Sequence, residues 1–179
     1  MRRNEALKTL SAISALTTRP IEEHTLPLLF DQLPGEAPAL SDEKSRYYIR
    51  QVLESLATLC VQPGLFEALH LRLVRQFAGL CEGSNSNDSE NMDVEEDAIR
   101  RECQVAFAYS LLHAIRTTLQ RKIALKHHDI AKHYEHLVPR LYSIFIEGAR
   151  TDRSIANDPR LMAEGAAVVM IMTQTLASK

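Results

Sequence analysis

The sequence predicts an all-α fold, a HEAT/armadillo-like helical-repeat solenoid of about seven helices forming one segment over residues 1–179, and three observations carry that reading. Apolar residues recur at steps of three and four through most of the chain, as one buried helix face requires. The composition has no Trp and only five Phe and five Tyr, with Leu and Ala abundant, which favours packed helices over sheets. A Glu-His-x-x-Pro-x-Leu pattern occurs at Glu23-His24 to Leu29 and again at Glu135-His136 to Leu141.

Leu7, Leu10, Ile13 and Leu16 predict a first helix over about residues 4–17, ended before Arg19-Pro20 because the residue preceding proline avoids the α region. Pro20 opens a second helix, with Glu22 and Glu23 near its positive end and Leu26, Leu29, Phe30 and Leu33 as its stripe. Pro27 lies inside it and predicts a kink or a split. After the loop 34–40, Ser41 is the expected N-cap of a third helix whose stripe is Ile49, Val52, Leu53, Leu56, Leu59 and Cys60. Gln62-Pro63-Gly64 is the turn into a fourth helix with Phe66, Leu69, Leu73, Phe77, Leu80 and Cys81 inward.

Residues 83–97 read GSNSNDSENMDVEED, too polar and acidic to offset the entropy of ordering, and predict a disordered acidic insertion between helices four and five. It reads as a length-tolerant surface loop, or as a phosphorylatable segment at Ser89. A fifth helix follows to about Lys126, burying Ala108, Leu111, Leu112, Ile115, Leu119 and Ile123. A sixth, over about residues 129–147, buries Ile130, Tyr134, Leu137, Leu141, Ile144 and Phe145 and contains Pro139. Residues 151–158 read as a polar loop. The last helix starts at Asp158-Pro159, an N-cap followed by proline, and is apolar on every side at Ala166 to Met172, so it expects cover on both faces.

With the acidic stretch subtracted, the proline motifs and a degenerate copy at Phe66-Glu67-Ala68-Leu69-His70 are spaced by roughly forty to fifty residues, near the helix-pair period of HEAT and armadillo arrays. Three pairs and an unpaired half result, which predicts a piece of a longer array. The competing arrangement is a seven-helix globule with the last helix at its centre.

The formal net charge of −2 gives no global attraction to phosphate backbones or anionic membranes. Cys60, Cys81 and Cys103 lie far apart, without paired C-x-x-C spacing, and read as buried thiols; direct cluster ligation is not expected. The start, Met1-Arg2-Arg3, has an organelle-presequence flavour, against which Glu5 and the immediate amphipathic helix weigh. His127, His128, His133 and His136, with Asp129 and Glu135, have metal-like density, but a helix junction whose imidazoles bond terminal carbonyls explains them more simply. Arg116, Arg121, Lys122 and Lys126 form a basic helix end that complements the helix dipole. No phosphate loop, dinucleotide fingerprint or nucleophile elbow is present, so neither a catalytic site nor a cofactor is expected.

The stretch Thr17-Thr18-Arg19-Pro20-Ile21-Glu22-Glu23-His24-Thr25-Leu26-Pro27-Leu28-Leu29, with Leu59-Cys60-Val61-Gln62-Pro63 and Leu137-Val138-Pro139-Arg140-Leu141-Tyr142, resembles fungal members of the MMS-nineteen nucleotide excision repair family. The resemblance covers most of the chain outside the acidic stretch and falls in the middle-to-late part of a much longer HEAT-repeat protein. It implies a non-catalytic scaffold of cytosolic iron–sulfur cluster assembly, in cytoplasm and nucleus. Such a scaffold meets targeting-complex proteins and client apoproteins, among them DNA helicases and polymerases of repair, replication and transcription, and does not itself carry the cluster. The alternative is a repair or transcription factor acting directly on DNA, which a run of Lys and Arg along one surface would favour. The residues that would contact partners are not legible in the sequence.

Overall fold

The computed structural model describes residues 2–83, 94–150 and 154–177. Seven α-helices and no strand occur among them: α1 (Arg2–Leu16), α2 (Leu26–Phe30), α3 (Glu43–Leu59), α4 (Pro63–Gly83), α5 (Val94–Ala124), α6 (Tyr134–Ala149) and α7 (Pro159–Ala177). The odd-numbered helices pack in order, α1 on α3, α3 on α5 and α5 on α7. The turn before α2 packs on α4, and α4 on α6, making a second layer. This is the two-layer stack of a helical-repeat solenoid, each helix covering the apolar stripe that its neighbour cannot cover alone. α7 packs on α5, α6 and the two short turns preceding α6 and α7, so it lies at one side of the stack and is not enclosed by the other described helices.

One contiguous apolar cluster runs through both layers, from Ile21 to Met172. The stripes expected for α3 and α4 are buried in full. In α1 the expected stripe is only half right. Leu7 and Leu10 are partly buried, but Ser14 is the buried position and Leu16 is 89% exposed. The reason is geometric: at about 100° per residue, steps of three fall about 60° short of a turn, so Leu16 ends opposite Leu7.

Pro27 does produce an irregularity, though not a break. Residues 21–25 form a wide π turn in which the Leu26 N–H reaches the Ile21 carbonyl, and α2 continues from it. The shifted register absorbs the donor that Pro27 lacks. Ile21, outside the expected stripe, is buried there. Pro27 and Pro139 are exposed whereas His70, aligned with them in sequence, is buried, so the fourth-helix copy of the motif is turned differently.

The N-cap of α3 is Asp42 and not Ser41: its Oδ1 accepts from the Ser45 N–H at 3.0 Å. Asp158 caps α7 as expected, accepting from the Arg160 N–H at 2.9 Å. Gly83 closes α4 and Val94 to Asp97 already belong to α5, so helices occupy both edges of the predicted insertion; its remainder, 84–93, lies outside the described residues. The 151–158 loop is not wholly a surface feature. Ile155 and Ala156 are buried in a 3-10 turn capped by Ser154, and a Cβ on Gly148 would stand 2.3 Å from the Ala156 Cβ.

The turn that closes α5 contains Lys126, whose φ of 58° places it in the left-handed region. The His127 N–H reaches the Lys122 carbonyl at 2.9 Å and the Lys126 N–H that of Ile123 at 2.9 Å, the paired closure in which glycine is the usual residue. Lys126→Gly is therefore expected to raise stability by about 0.5–1 kcal/mol, read as a higher urea midpoint at unchanged slope.

Candidate protein-binding surface

The interior contains an ionic junction that decides which residues remain for the surface. Lys122 lies on the same side of α5 as Leu111, Ile115 and Leu119 and is fully buried. Its ammonium donates to the Val61 carbonyl at 2.7 Å, lies 2.8 Å from Asp129 Oδ2, and stands 5.4 Å from the Phe66 ring centroid. His133 Nε2 approaches the same Asp129 oxygen at 3.5 Å. The Phe66, His70 and His133 rings pack against one another with centroids 5.1–5.2 Å apart. The α3–α4 turn, the end of α5 and the approach to α6 thus meet at one buried charge pair.

Burial pushes the Asp129 carboxyl up, but the contacts with His133 and Lys122 outweigh it and hold the group down at about 2. Burial lowers His70, whose Nε2 has no partner, to about 4, with His133 and His136 adding like-charge repulsion. Burial raises the Cys60 thiol to about 12 against the opposing pull of Lys122, and raises Cys81 to about 12 as well. These thiols are neutral packing groups.

The histidine cluster of the sequence does not assemble. Only His133 and Asp129 turn inward, while His128, Glu135 and His136 are exposed. Among the described residues no group of three or more His, Cys, Asp or Glu is placed to hold a metal. The basic helix end also resolves differently from the dipole reading. Lys122 is the buried ion just described, Arg116 pairs with Glu164 at 2.5 Å, and Arg121 donates to Thr58 Oγ1 at 2.7 Å. Ile123, expected to be buried, is 46% exposed, because Lys122 holds the inward position.

α7 is fixed to α5 by Glu164, almost fully buried, which His113 Nδ1 also meets at 2.9 Å. Arg160 adds a bidentate pair with Glu102 at 2.6 and 2.7 Å. Next to Glu164, the Phe145 ring of α6 lies over Gly165, where a Cβ would stand 2.3 Å from its Cε2. α7 is covered on the side of Leu161, Gly165, Val168 and Met172; Met162 and Met170 are more than half exposed on the other, so the expected cover is present on one face only.

Among the open surfaces of the described residues, three bear on binding. A groove of about 540 Å³ runs between α3 and α5, with Arg50, Glu54, Tyr109 and Arg121 along it and Leu53 and Ala114 beneath. A cleft of about 700 Å³ lies between α4, the start of α5 and the 33–39 segment, and Arg72, Arg75 and Arg100 line it. The third is the uncharged outer side of α7. All are broad and shallow, without a closed polar pocket among them. No helix among the described residues is long and apolar enough to cross a membrane.

A family model described as RNAPII transcription regulator C-terminal (MMS19_C) matches residues 52–179. The chain belongs to this family. The MMS19_C match spans the second half of α3 and all of α4 to α7, so the ionic junction, the α7 anchors and the three arginines of the cleft all fall within the matched residues, whereas α1, α2, the 33–39 wall and the first half of α3 precede it. No curated protein and no solved structure matches the chain at a significant level.

Two outcomes test the junction. Lys122→Met leaves Asp129 buried without its cation and is expected to cost about 3–5 kcal/mol, whereas Lys122→Met with Asp129→Leu should recover most of the loss, measured by urea denaturation. His70 titrates at 6.5 unfolded and about 4 folded, so the unfolded chain takes the proton first. Its contribution is whole above pH 6.5 and stability falls as pH drops towards 4, by a few kcal/mol. Denaturation midpoints should fall over that interval and fall less in His70→Leu. Asp129, depressed from 3.8 to about 2, loses its contribution only below that window.

Proposed function

We propose that this MMS19_C-family chain is a non-catalytic scaffold of cytosolic iron–sulfur cluster assembly, helping to deliver clusters to apoproteins of DNA repair, replication and transcription in cytoplasm and nucleus. Family membership supplies the regulatory context. The observation that carries the reading is the open stack itself. Charged side chains that could serve chemistry are spent inside, as Lys122 with Asp129 and Arg116 with Glu164, while the outside offers shallow grooves of the kind that hold protein segments. Broad solenoid surfaces with a few anchors suit several partners in turn. The buried, protonated Cys60 and Cys81 thiols support a scaffold that does not itself ligate the cluster, because thiolate is the ligand form.

Direct action on DNA is the second reading, and the arginines of the α4–α5 cleft are the one observation in its favour. Against it stand the net charge of −2 and the consumption of Arg116, Arg121 and Lys122 in internal contacts. The deciding experiment is affinity capture of the tagged chain with mass spectrometry, alongside iron and sulfide analysis. Enrichment of cluster-assembly proteins and of helicase or polymerase apoproteins, with no iron in the purified chain, is expected. Stoichiometric iron and sulfide, or retention of DNA with no such proteins, would overturn the reading.

A further inference from the structure

Two helices bring three guanidinium groups to a single cleft that a loop walls on its far side. Arg72 and Arg75 extend from the exposed side of α4 and Arg100 from the first turns of α5. The facing wall is held in place by Gln76, whose Nε2 donates to the Pro34 carbonyl at 2.6 Å. Leu33, Leu80 and Cys103 supply buried apolar surface at its base. Among the described residues that line the cleft, Glu36 is the acid beside three arginines, in a chain that is negative as a whole.

Guanidinium forks pair bidentately with carboxylates, and clusters of arginine are a recurrent means of reading acidic motifs. A volume of about 700 Å³ falls in the range of sites that hold small ligands or short segments. Single-stranded nucleic acid is held by pairing a basic groove with aromatic platforms for its bases, and no aromatic side chain lines this cleft. An apolar base between cations fits an aliphatic side chain flanked by carboxylates.

We propose that this cleft docks a short extended acidic segment of a protein partner, its carboxylates on Arg72 and Arg75 and an aliphatic side chain against Leu80 and Cys103. The proposal rests on the scaffold reading for the partner's identity, and it adds where and by what chemistry one partner is gripped.

The test is fluorescence anisotropy of the full chain with a fluorescein-labelled peptide Asp-Leu-Glu-Asp-Leu at about 0.1 M salt, where surface charges are screened beyond about 10 Å. Saturable binding is expected, weakened at least about tenfold by Arg72→Glu with Arg75→Glu. The double change Lys132→Glu with Arg140→Glu, equal in charge and placed on exposed positions near and in α6, should leave binding intact. The amide peptide Asn-Leu-Gln-Asn-Leu should not bind. If the glutamate pair disturbs the fold by circular dichroism, Arg72→Gln with Arg75→Gln takes its place and must weaken binding while leaving the fold intact. Absence of saturable binding, equal weakening by the α6 pair, or tighter binding of oligothymidine abolished by the same arginine changes would overturn the proposal. A chain that captures assembly proteins but ignores the peptide would refute this inference and leave the scaffold reading standing. One that binds the peptide but captures none of them would do the reverse.

Discussion

The buried Lys122–Asp129 pair is the constraint on which the middle of the stack depends. A fully enclosed ammonium has few acceptable surroundings, and here it has three at once: the Val61 carbonyl, the Asp129 carboxylate and the face of Phe66. Those partners come from the α3–α4 turn, the approach to α6 and the first turns of α4. Sliding one helix along another by a turn, about 5.4 Å, would separate them and leave a charge in an apolar interior. Apolar stripes tolerate such slips because leucine packs against leucine in several registers. The ion pair does not, so it selects one register where hydrophobic burial alone would accept more than one.

That division of labour explains which parts of the fold were legible in the sequence. The stripes of α3 and α4 keep steps of three and four in alternation and stay on one side, so periodicity located them residue by residue. α1 keeps steps of three only, and its stripe winds round the helix until Leu16 faces solvent. The N-cap at Asp42 was missed by one position because Ser41 and Asp42 are both good caps and only the geometry at Ser45 distinguishes them.

The polar interior was misread for a different reason. A lysine and an arginine near the end of a helix are ordinary dipole partners, and nothing local marks Lys122 as inward. The signal was present at longer range, since position 122 falls seven residues after Ile115 on the buried stripe and seven before an acidic residue at the next helix approach. Likewise, His133 and His136 are neighbours in sequence on one helix approach, but the tight turn before α6 rotates one into the aromatic cluster and the other out to solvent. The helix junction expected there thus holds His133 against Asp129 and leaves His136 outside. The arginine cleft was illegible because it is assembled from α4, α5 and the 33–39 segment, which no local pattern in the sequence joins.

α7 shows why polar contacts matter most where apolar residues are most plentiful. From Ala166 to Met172 the helix could present nearly any side to its neighbours at similar hydrophobic gain. Three features remove that freedom. Glu164 must face His113 and Arg116 on α5, Arg160 must reach Glu102, and Gly165 must lie under Phe145, because any other residue type on that side would strike the ring. Together they fix the rotation that sends Val168 and Met172 inward and Met162 and Met170 outward. The outward methionines are then a consequence of where the ions are. Flexible, polarisable side chains of this kind adapt to varied contact surfaces, so the same contacts that close the stack on one side of α7 determine the character of the surface it presents on the other.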